Sequence, residues 1–264
     1  MICCYIILLV IGVIAGIFIR WVYERYIHNS SYTTTTAPIL TPREKDKIVE
    51  ESLQNTNQAF KKIYDEGVWG QDENGKGTSG YGSNPQFNQK YIQFMRKFII
   101  DNDIKSIVDI GCGDWQFSHE IYHDLDVNYH GYDCVKHLIE KHKKSYSNIK
   151  KYNFHHINGD NVFKSIKNNR NADLLIMKDV IQHWTYDNIL NFFENLNKKT
   201  NFKHFILIND HTCDESFDIK VGEYRRLNLD TKPLNILRNE FQFENVFDFK
   251  TTDGKTAYLV SKHK

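Results

Sequence analysis

The sequence predicts a three-layer α/β fold, in which helices cover both faces of a mostly parallel sheet that ends in an antiparallel hairpin. Short β-branched and apolar segments alternate with helix-compatible segments over residues 106–208, which is typical of a parallel sheet. Two successive strand-like segments, 241–250 and 255–261, then flank the turn dipeptide Asp253-Gly254. We also expect a transmembrane helix ahead of this domain.

The first residues are the basis for the membrane helix. Residues 2–19 are an unbroken run of 18 uncharged, mostly apolar residues, which as a helix of roughly 27 Å would cross the hydrocarbon core. A cleaved signal peptide is the alternative, but it would have basic residues before a shorter apolar stretch. Arg20 and Arg25 flank only the carboxyl side, so the positive-inside rule predicts a single-pass protein whose large domain is cytosolic. Residues 1–27 are thus the predicted anchor and juxtamembrane segment.

A polar segment separates the anchor from the first predicted helix. Residues 28–42 are rich in threonine and contain two prolines, which is typical of a flexible linker. Thr41 and Pro42 then have the residue types of a helix start, and we expect this helix to end near Asp65. Its apolar stripe is thin, which predicts a peripheral position.

The rest of region 43–102 contains a glycine-rich stretch, 67–85, and a second predicted helix over 86–100. The glycine-rich stretch is either a surface loop or a lid over a binding site. The core that follows is predicted in chain order. Its strands are 106–110, 128–132, 152–157, 173–177 and 204–208, and its helices are 115–124, 135–146, 161–167 and 185–198.

A glycine turn after the first core strand indicates a binding site for a nucleotide-like cofactor. Asp109 ends the strand, and Gly111 and Gly113 follow it before a helix. Glycines allow a sharp turn and close approach of a ligand to the backbone. Asp133 lies 22 residues after Gly111, just beyond the second strand, where a carboxylate can accept hydrogen bonds from both ribose hydroxyls. Asp133 is also placed to cap the following helix.

The turn does not fit a dinucleotide. The fingerprint G-x-G-x-x-G requires glycine at the position of Gln116, which disfavours a nicotinamide-dependent oxidoreductase. The stretch instead resembles motif I of the class I S-adenosylmethionine-dependent methyltransferases, an acidic residue followed by G-x-G. This family often has glycine at the position of Trp115, so the tryptophan is a departure from its pattern.

Three further landmarks of that family recur in order. Asp133 ends the second strand, Gly159-Asp160-Asn161 ends the third, and residues 172–184 resemble the fourth strand and its turn. The resemblance covers about residues 64–261 and implies a seven-stranded, Rossmann-like methyltransferase domain at 103–264, with S-adenosyl-L-methionine as cofactor. The cofactor-binding residues that it implies are Asp109, Gly111, Gly113, Asp133, Asp160, Asn161, Lys178 and Asp179.

Two histidines are candidates for the base that would remove a proton from an acceptor. His183 follows the fourth predicted strand and His211 the fifth, and both would face the cleft in this topology. Histidine titrates in the useful pH range, although a structural role is the usual one among twelve histidines. Residues 222–235 resemble a family insertion that covers the acceptor pocket. Arg225 or Arg226 within it would suit an anionic acceptor, or the insertion is a surface loop.

The composition of the chain limits which classes of ligand and partner are expected. The formal net charge of +1 gives no strong nucleic-acid signal. The five cysteines have no metal-ligand spacing, so we predict no metal site. The acceptor, a hydroxyl or an amine, and the oligomeric state stay open. A catalytically inactive, membrane-tethered scaffold with this fold is the main alternative to an enzyme.

Overall fold

The computed structural model describes residues 56–159, 162–211, 213–249 and 254–263. The predicted anchor, the linker, most of the first predicted helix, Asp160, Asn161 and Asp253 lie outside these ranges. Within them, no helix combines the length and the hydropathy needed to cross a bilayer.

The described residues form a seven-stranded sheet in the order β3-β2-β1-β4-β5-β7-β6. Strands β1 to β5 pair in parallel, and β7 is antiparallel to both β5 and β6. The predicted class and its terminal hairpin are therefore confirmed. The strands are β1 Ser106–Ile110, β2 Asn128–Asp133, β3 Tyr152–His156, β4 Leu174–Lys178, β5 His204–Asp210, β6 Phe241–Asp248 and β7 Lys255–Lys262.

Helices cover both faces of the sheet. Residues 56–65 are helical, and short 3-10 turns precede α1 and follow β4. The helices of the sheet domain are α1 Gln89–Asp101, α2 Ser118–Tyr122, α3 Lys136–Ser145, α4 Val162–Ser165 and α5 Tyr186–Lys199.

The alternation of side chains along β1 divides the core into two layers. Ile107 belongs to the layer that includes the apolar face of α1, whereas Val108 belongs to the layer that includes α5. Both side chains are fully buried. A central parallel strand needs apolar residues on both faces, which is why β1 carries an almost continuous apolar run. The carboxyl end of β1, with Asp109, therefore lies in the middle of the row formed by the carboxyl ends of the five parallel strands.

The turn after β1 explains why α2 begins at Ser118 rather than at the predicted residue 115. Trp115 has a φ of 58°, a left-handed conformation that cannot continue a right-handed helix. Its buried indole nitrogen donates to the Tyr129 hydroxyl at 2.9 Å, and its ring lies 5.0 and 5.1 Å from those of Tyr152 and Phe154. Aromatic packing therefore holds a large residue in a conformation that suits glycine.

We expect the two ways of removing this indole to differ in stability. Trp115→Ala should lower the free energy of unfolding by about 3–5 kcal/mol, the usual cost of emptying an aromatic core site. Trp115→Gly should remain about 1 kcal/mol more stable than Trp115→Ala, because glycine adopts a positive φ without a steric penalty. Denaturant unfolding of both variants measures the difference. A glycine variant no more stable than the alanine variant would show that the left-handed backbone carries no strain.

Candidate cofactor and active site

A cavity of about 470 Å³ opens at the carboxyl edge of the parallel strands. Its wall includes Gly111 just after β1, Asp133 at the end of β2 and Asp179 just after β4. The volume lies in the range of sites for small molecules and cofactors. The structure thus brings together six of the eight cofactor-binding residues that the sequence predicted. The other two, Asp160 and Asn161, lie outside the described residues, although Gly159 lines the cavity.

The glycine turn leaves no room for side chains. Gly111 has a φ of 77° and Gly113 a φ of 59°. A Cβ on Gly111 would lie 2.5 Å from the Val180 side chain, and one on Gly113 would lie 2.5 Å from the Ser79 hydroxyl. Both distances are prohibitive, so the backbone itself forms this part of the wall. Such a wall fits a cofactor that approaches the main chain closely.

Asp133 lies at the end of β2, close to the start of α3. Its carboxylate accepts from the Gly113 amide at 2.9 Å and from the Val135 amide, just before α3, at 2.8 Å. The side chain also lines the cavity. Burial raises the pKa of this carboxyl, although the amide hydrogen bonds oppose the rise. The residue therefore ties the turn to the residues that precede α3 and presents its carboxylate to the cavity.

Asp109 is a buried carboxyl in the cavity wall. It accepts a 2.6 Å hydrogen bond from the Tyr129 hydroxyl, which in turn accepts from Trp115. Burial raises the pKa of Asp109 to about 6, while the Tyr129 hydrogen bond works in the opposite direction. The tryptophan that departs from the family pattern is thus connected to the acidic residue that begins the motif.

Three charged residues, Lys178, Asp179 and Lys255, form a cluster at the carboxyl end of β4. The Oδ2 atom of Asp179 accepts from Lys178 at 2.6 Å and from Lys255 at 2.8 Å. Burial alone would raise the pKa of Asp179, but the two ammonium groups lower it far below its usual value. Burial lowers the pKa of Lys178. Lys255 opens β7, far away in sequence, and no motif identified it beforehand.

The cover of the cavity includes an element that was expected at the periphery. Tyr64, at the end of helical residues 56–65, is buried and lines the cavity, so the peripheral position predicted for this helix is wrong at its described end. The Tyr64 hydroxyl lies 2.5 Å from the Ser79 hydroxyl. Ser79 and Asp114 exchange reciprocal hydrogen bonds of 2.7 and 2.9 Å. The glycine-rich stretch therefore covers the cavity and is attached to the turn after β1.

His183 lies in the cavity wall with a defined tautomer. Its Nδ1 atom is 3.0 Å from the Glu223 carbonyl oxygen. A carbonyl only accepts, so Nδ1 carries the hydrogen and Nε2 is the basic nitrogen of the neutral ring. Burial lowers the pKa of His183, which keeps the ring neutral at pH 7. Its ring centroid lies 4.7 Å from that of Trp69, another cavity residue.

The other candidate base, His211, is not brought to the cavity. It is absent from the cavity wall, its Nδ1 atom donates to the Leu227 carbonyl at 2.8 Å, and its ring packs 4.5 Å from Tyr258. Burial lowers its pKa to about 4. This side chain packs against Tyr258 of the terminal hairpin instead of lining the cavity. The sequence did not reveal this contact.

The structure separates the two candidate arginines. Arg226 lines the cavity and pairs with Asp210 at 3.3 Å. Arg225 is fully buried outside the cavity wall, and its guanidinium stacks 4.7 Å from the centre of the Tyr186 ring. Arg226 is therefore the arginine that can contact an acceptor.

Two other residue types at the cavity bear on the chemistry. Cys112 and Cys134 line it, and burial raises the pKa of the Cys112 thiol, which keeps that thiol protonated and unreactive. Among the described residues, no group of three or more histidine, cysteine or acidic side chains could hold a metal ion.

Comparison with known proteins agrees with this geometry. The family described as O-methyltransferase domain matches residues 46–247, which is most of the chain. The chain belongs to this family. It is therefore an S-adenosylmethionine-dependent methyltransferase, and S-adenosyl-L-methionine is its expected cofactor. No curated protein sequence matches the chain.

Solved structures show the same fold. An S-adenosylmethionine-dependent methyltransferase from Clostridium acetobutylicum ATCC 824 aligns with a TM-score of 0.50 and 14% identity, over 77% of this chain and 98% of that one. The methyltransferase domain of bacterial CtHen1-C aligns with a TM-score of 0.50 and 13% identity, over 66% and 98%. An O-methyltransferase family protein from Burkholderia thailandensis aligns with a TM-score of 0.51 and 7% identity, over 68% and 57%.

We expect Asp133→Ala to weaken the binding of S-adenosyl-L-methionine by about 1.5–3 kcal/mol, because charge-assisted hydrogen bonds to the ribose are lost. Isothermal titration calorimetry on the full chain measures the change. The matched control is Asp173→Ala, since Asp173 is also buried and accepts from two backbone amides, those of Lys105 and Ser106. It lies just before β4, at the opposite edge of the sheet.

Both variants should lose stability, but only Asp133→Ala should lose affinity. Equal affinities in the parent and in a folded Asp133→Ala protein would remove Asp133 from the cofactor site.

Proposed function

We propose that this protein transfers the methyl group of S-adenosyl-L-methionine to a hydroxyl oxygen, with His183 as general base. The observation that carries the proposal is the position of His183 in the wall of the cofactor cavity, with Nδ1 occupied by a carbonyl and Nε2 as the basic nitrogen. A hydroxyl acceptor must lose a proton as the methyl group arrives, and a neutral imidazole can take it.

The other residues of the cavity have roles in binding and orientation. When bound, S-adenosyl-L-methionine supplies a methyl group on a positively charged sulfur that is already activated for displacement. Gly111 and Gly113 would hold the cofactor against the turn, and Asp133 would accept from its ribose. The enzyme then gains most of its rate by alignment of the acceptor with the methyl group.

Aromatic rings border His183 on several sides. Phe60, Trp69 and Tyr224 have ring centroids 6.3, 4.7 and 5.9 Å from its own, and all of them line the cavity. These rings exclude water from the proposed base and offer flat surfaces to an acceptor. Arg226, about half exposed at the same part of the wall, would pair with an anionic group on that acceptor.

The family match to an O-methyltransferase domain supports oxygen rather than nitrogen as the methylated atom. An amine acceptor is the second candidate, since a neutral amine attacks without a base. Incubation of the full chain with methyl-labelled donor and fractionated host extract, followed by mass spectrometry of the labelled product, separates the two. A labelled product with an N-methyl group would show that the acceptor is an amine and not a hydroxyl. Donor binding without any labelled product would favour the inactive scaffold.

We expect His183→Ala to lower kcat by about 10²–10⁴, the usual contribution of a general base, and to leave the affinity for the donor nearly intact. The rate of the parent enzyme should rise with pH through the pKa of His183, because only the neutral ring accepts a proton. Since burial lowers this pKa, the midpoint of the rise should lie below the ordinary histidine value of about 6.5.

His211→Ala is the matched control for this test. His211 is partly buried and also engages a backbone carbonyl through Nδ1, but it lies outside the cavity wall, so kcat should change little. If His183→Ala turned over at the parental rate with the true acceptor, His183 would be a packing residue and alignment alone would account for catalysis.

We propose, from the sequence, that residues 2–22 anchor the protein in a membrane with the enzyme domain in the cytosol. The uncharged run and the arginines on its carboxyl side support this. In microsomes, the full chain should resist carbonate extraction, and Asn29 of the sequon Asn29-Ser30-Ser31 should stay unglycosylated. Extraction like that of a soluble protein would contradict the anchor, and glycosylated Asn29 would contradict the orientation.

A further inference from the structure

The amino-acid end of S-adenosyl-L-methionine carries an ammonium and a carboxylate, so it needs partners of both signs. We propose that Lys255, together with Lys178 and Asp179, binds this zwitterionic end: the lysines bind the carboxylate and Asp179 binds the ammonium. The proposal rests on the cofactor assigned above and adds Lys255, a residue of the terminal hairpin, to the cofactor site.

The order of the strands places this cluster where the amino-acid end has to lie. Asp133 ends β2, on one side of β1, and Lys178 ends β4, on the other side. Neighbouring strands are about 4.8 Å apart, so the two strand ends are separated by roughly 10 Å. If Asp133 holds the ribose, the rest of an extended cofactor crosses the turn at Gly111 and reaches the cluster after β4.

Lys255 has hydrogen-bond donors to spare. An ammonium has three N–H donors, and within the described residues Lys255 uses one of them, toward Asp179 Oδ2 at 2.8 Å. Lys178 uses two, toward Asp179 Oδ2 and toward the Gly82 carbonyl at 3.1 Å. Because both side chains line the cavity, their remaining donors are available to a carboxylate there.

Asp179 has an acceptor to spare. Both lysines bind its Oδ2 atom, whereas Oδ1 is buried and has no hydrogen-bond partner among the described residues. A buried carboxylate oxygen without a donor is costly. The ammonium of the cofactor would supply that donor, so the cluster is incomplete without a cation and complete with one.

The cluster is also shielded from solvent, which strengthens its interactions. The side chains of Lys178, Asp179 and Lys255 are 12%, 19% and 15% exposed. A Cβ on Gly82 would lie 2.8 Å from the Lys255 ammonium, so the backbone of the glycine-rich stretch covers the lysine closely. Charges in such a place are weakly screened by salt, and their contacts with a ligand contribute more than contacts at an open surface.

The test compares how the variant and the parent bind ligands with different amino-acid ends. S-adenosylhomocysteine has the complete amino-acid end, decarboxylated S-adenosylmethionine, a sulfonium, lacks the carboxylate, and 5′-methylthioadenosine lacks both the ammonium and the carboxylate. Calorimetry measures the affinity of each ligand for the purified full chain and for Lys255→Met. Lys262→Met is the matched control, because Lys262 lies on the same strand, is exposed and contacts the Asn197 carbonyl instead of the cavity.

We expect Lys255→Met to weaken S-adenosylhomocysteine about tenfold or more, the effect of a lost charge-assisted hydrogen bond. The affinities for the decarboxylated ligand and for 5′-methylthioadenosine should stay within about twofold of the parental values, and Lys262→Met should match the parent throughout. Lys255→Arg, which keeps the charge, should recover part of the loss.

Two outcomes would overturn the proposal in different ways. Equal weakening of all three ligands would mean that Lys255 only supports the structure around Asp179, and no weakening would remove it from the site. A parent protein that binds none of the ligands would refute the cofactor itself, and this proposal with it.

Discussion

The site depends on a left-handed turn at the end of a central strand. Gly111, Gly113 and Trp115 all have positive φ values between β1 and α2, and such a path is stable only if the surrounding structure holds it. The amides of Gly111 and Cys112 both donate to the Tyr132 carbonyl, and Asp133 accepts from Gly113. The end of β2 thus fixes the shape of the turn, and its last residue, Asp133, also presents its carboxylate to the cavity.

The charges of the cavity are divided along the sheet edge. On the β2 and β1 side, Asp133 and Asp109 form no salt bridge within the described part of the chain, and burial raises the pKa of each. Asp179, one strand further along, has two lysines and a pKa far below its usual value. The first environment suits neutral hydroxyl groups that donate hydrogen bonds, and the second suits a ligand that carries full charges. The cavity therefore offers two different electrostatic environments, one at each side of the turn after β1.

The sequence predicts the fold well because the relevant signals are local. Buried parallel strands read as apolar runs, and the Asp109, Gly111 and Asp133 pattern depends on spacing within one β-α-β unit. Residues that reach the cavity from far away in sequence carry no such pattern. Lys255 reaches it through the antiparallel pairing of β7 with β5, and Tyr64 reaches it through packing of the first helix. His183 and His211 follow similar strands, so only tertiary packing distinguishes them.

The hydrogen bonds of the glycine-rich stretch restrain its movement over the cavity. Ser79 and Asp114 hold one end of its covering segment, and buried Asn88 holds the other by donating to the carbonyls of Gly82 and Asn84. A segment that is hydrogen-bonded at both ends cannot move as a free loop. Any movement of this segment away from the cavity therefore has to break these hydrogen bonds.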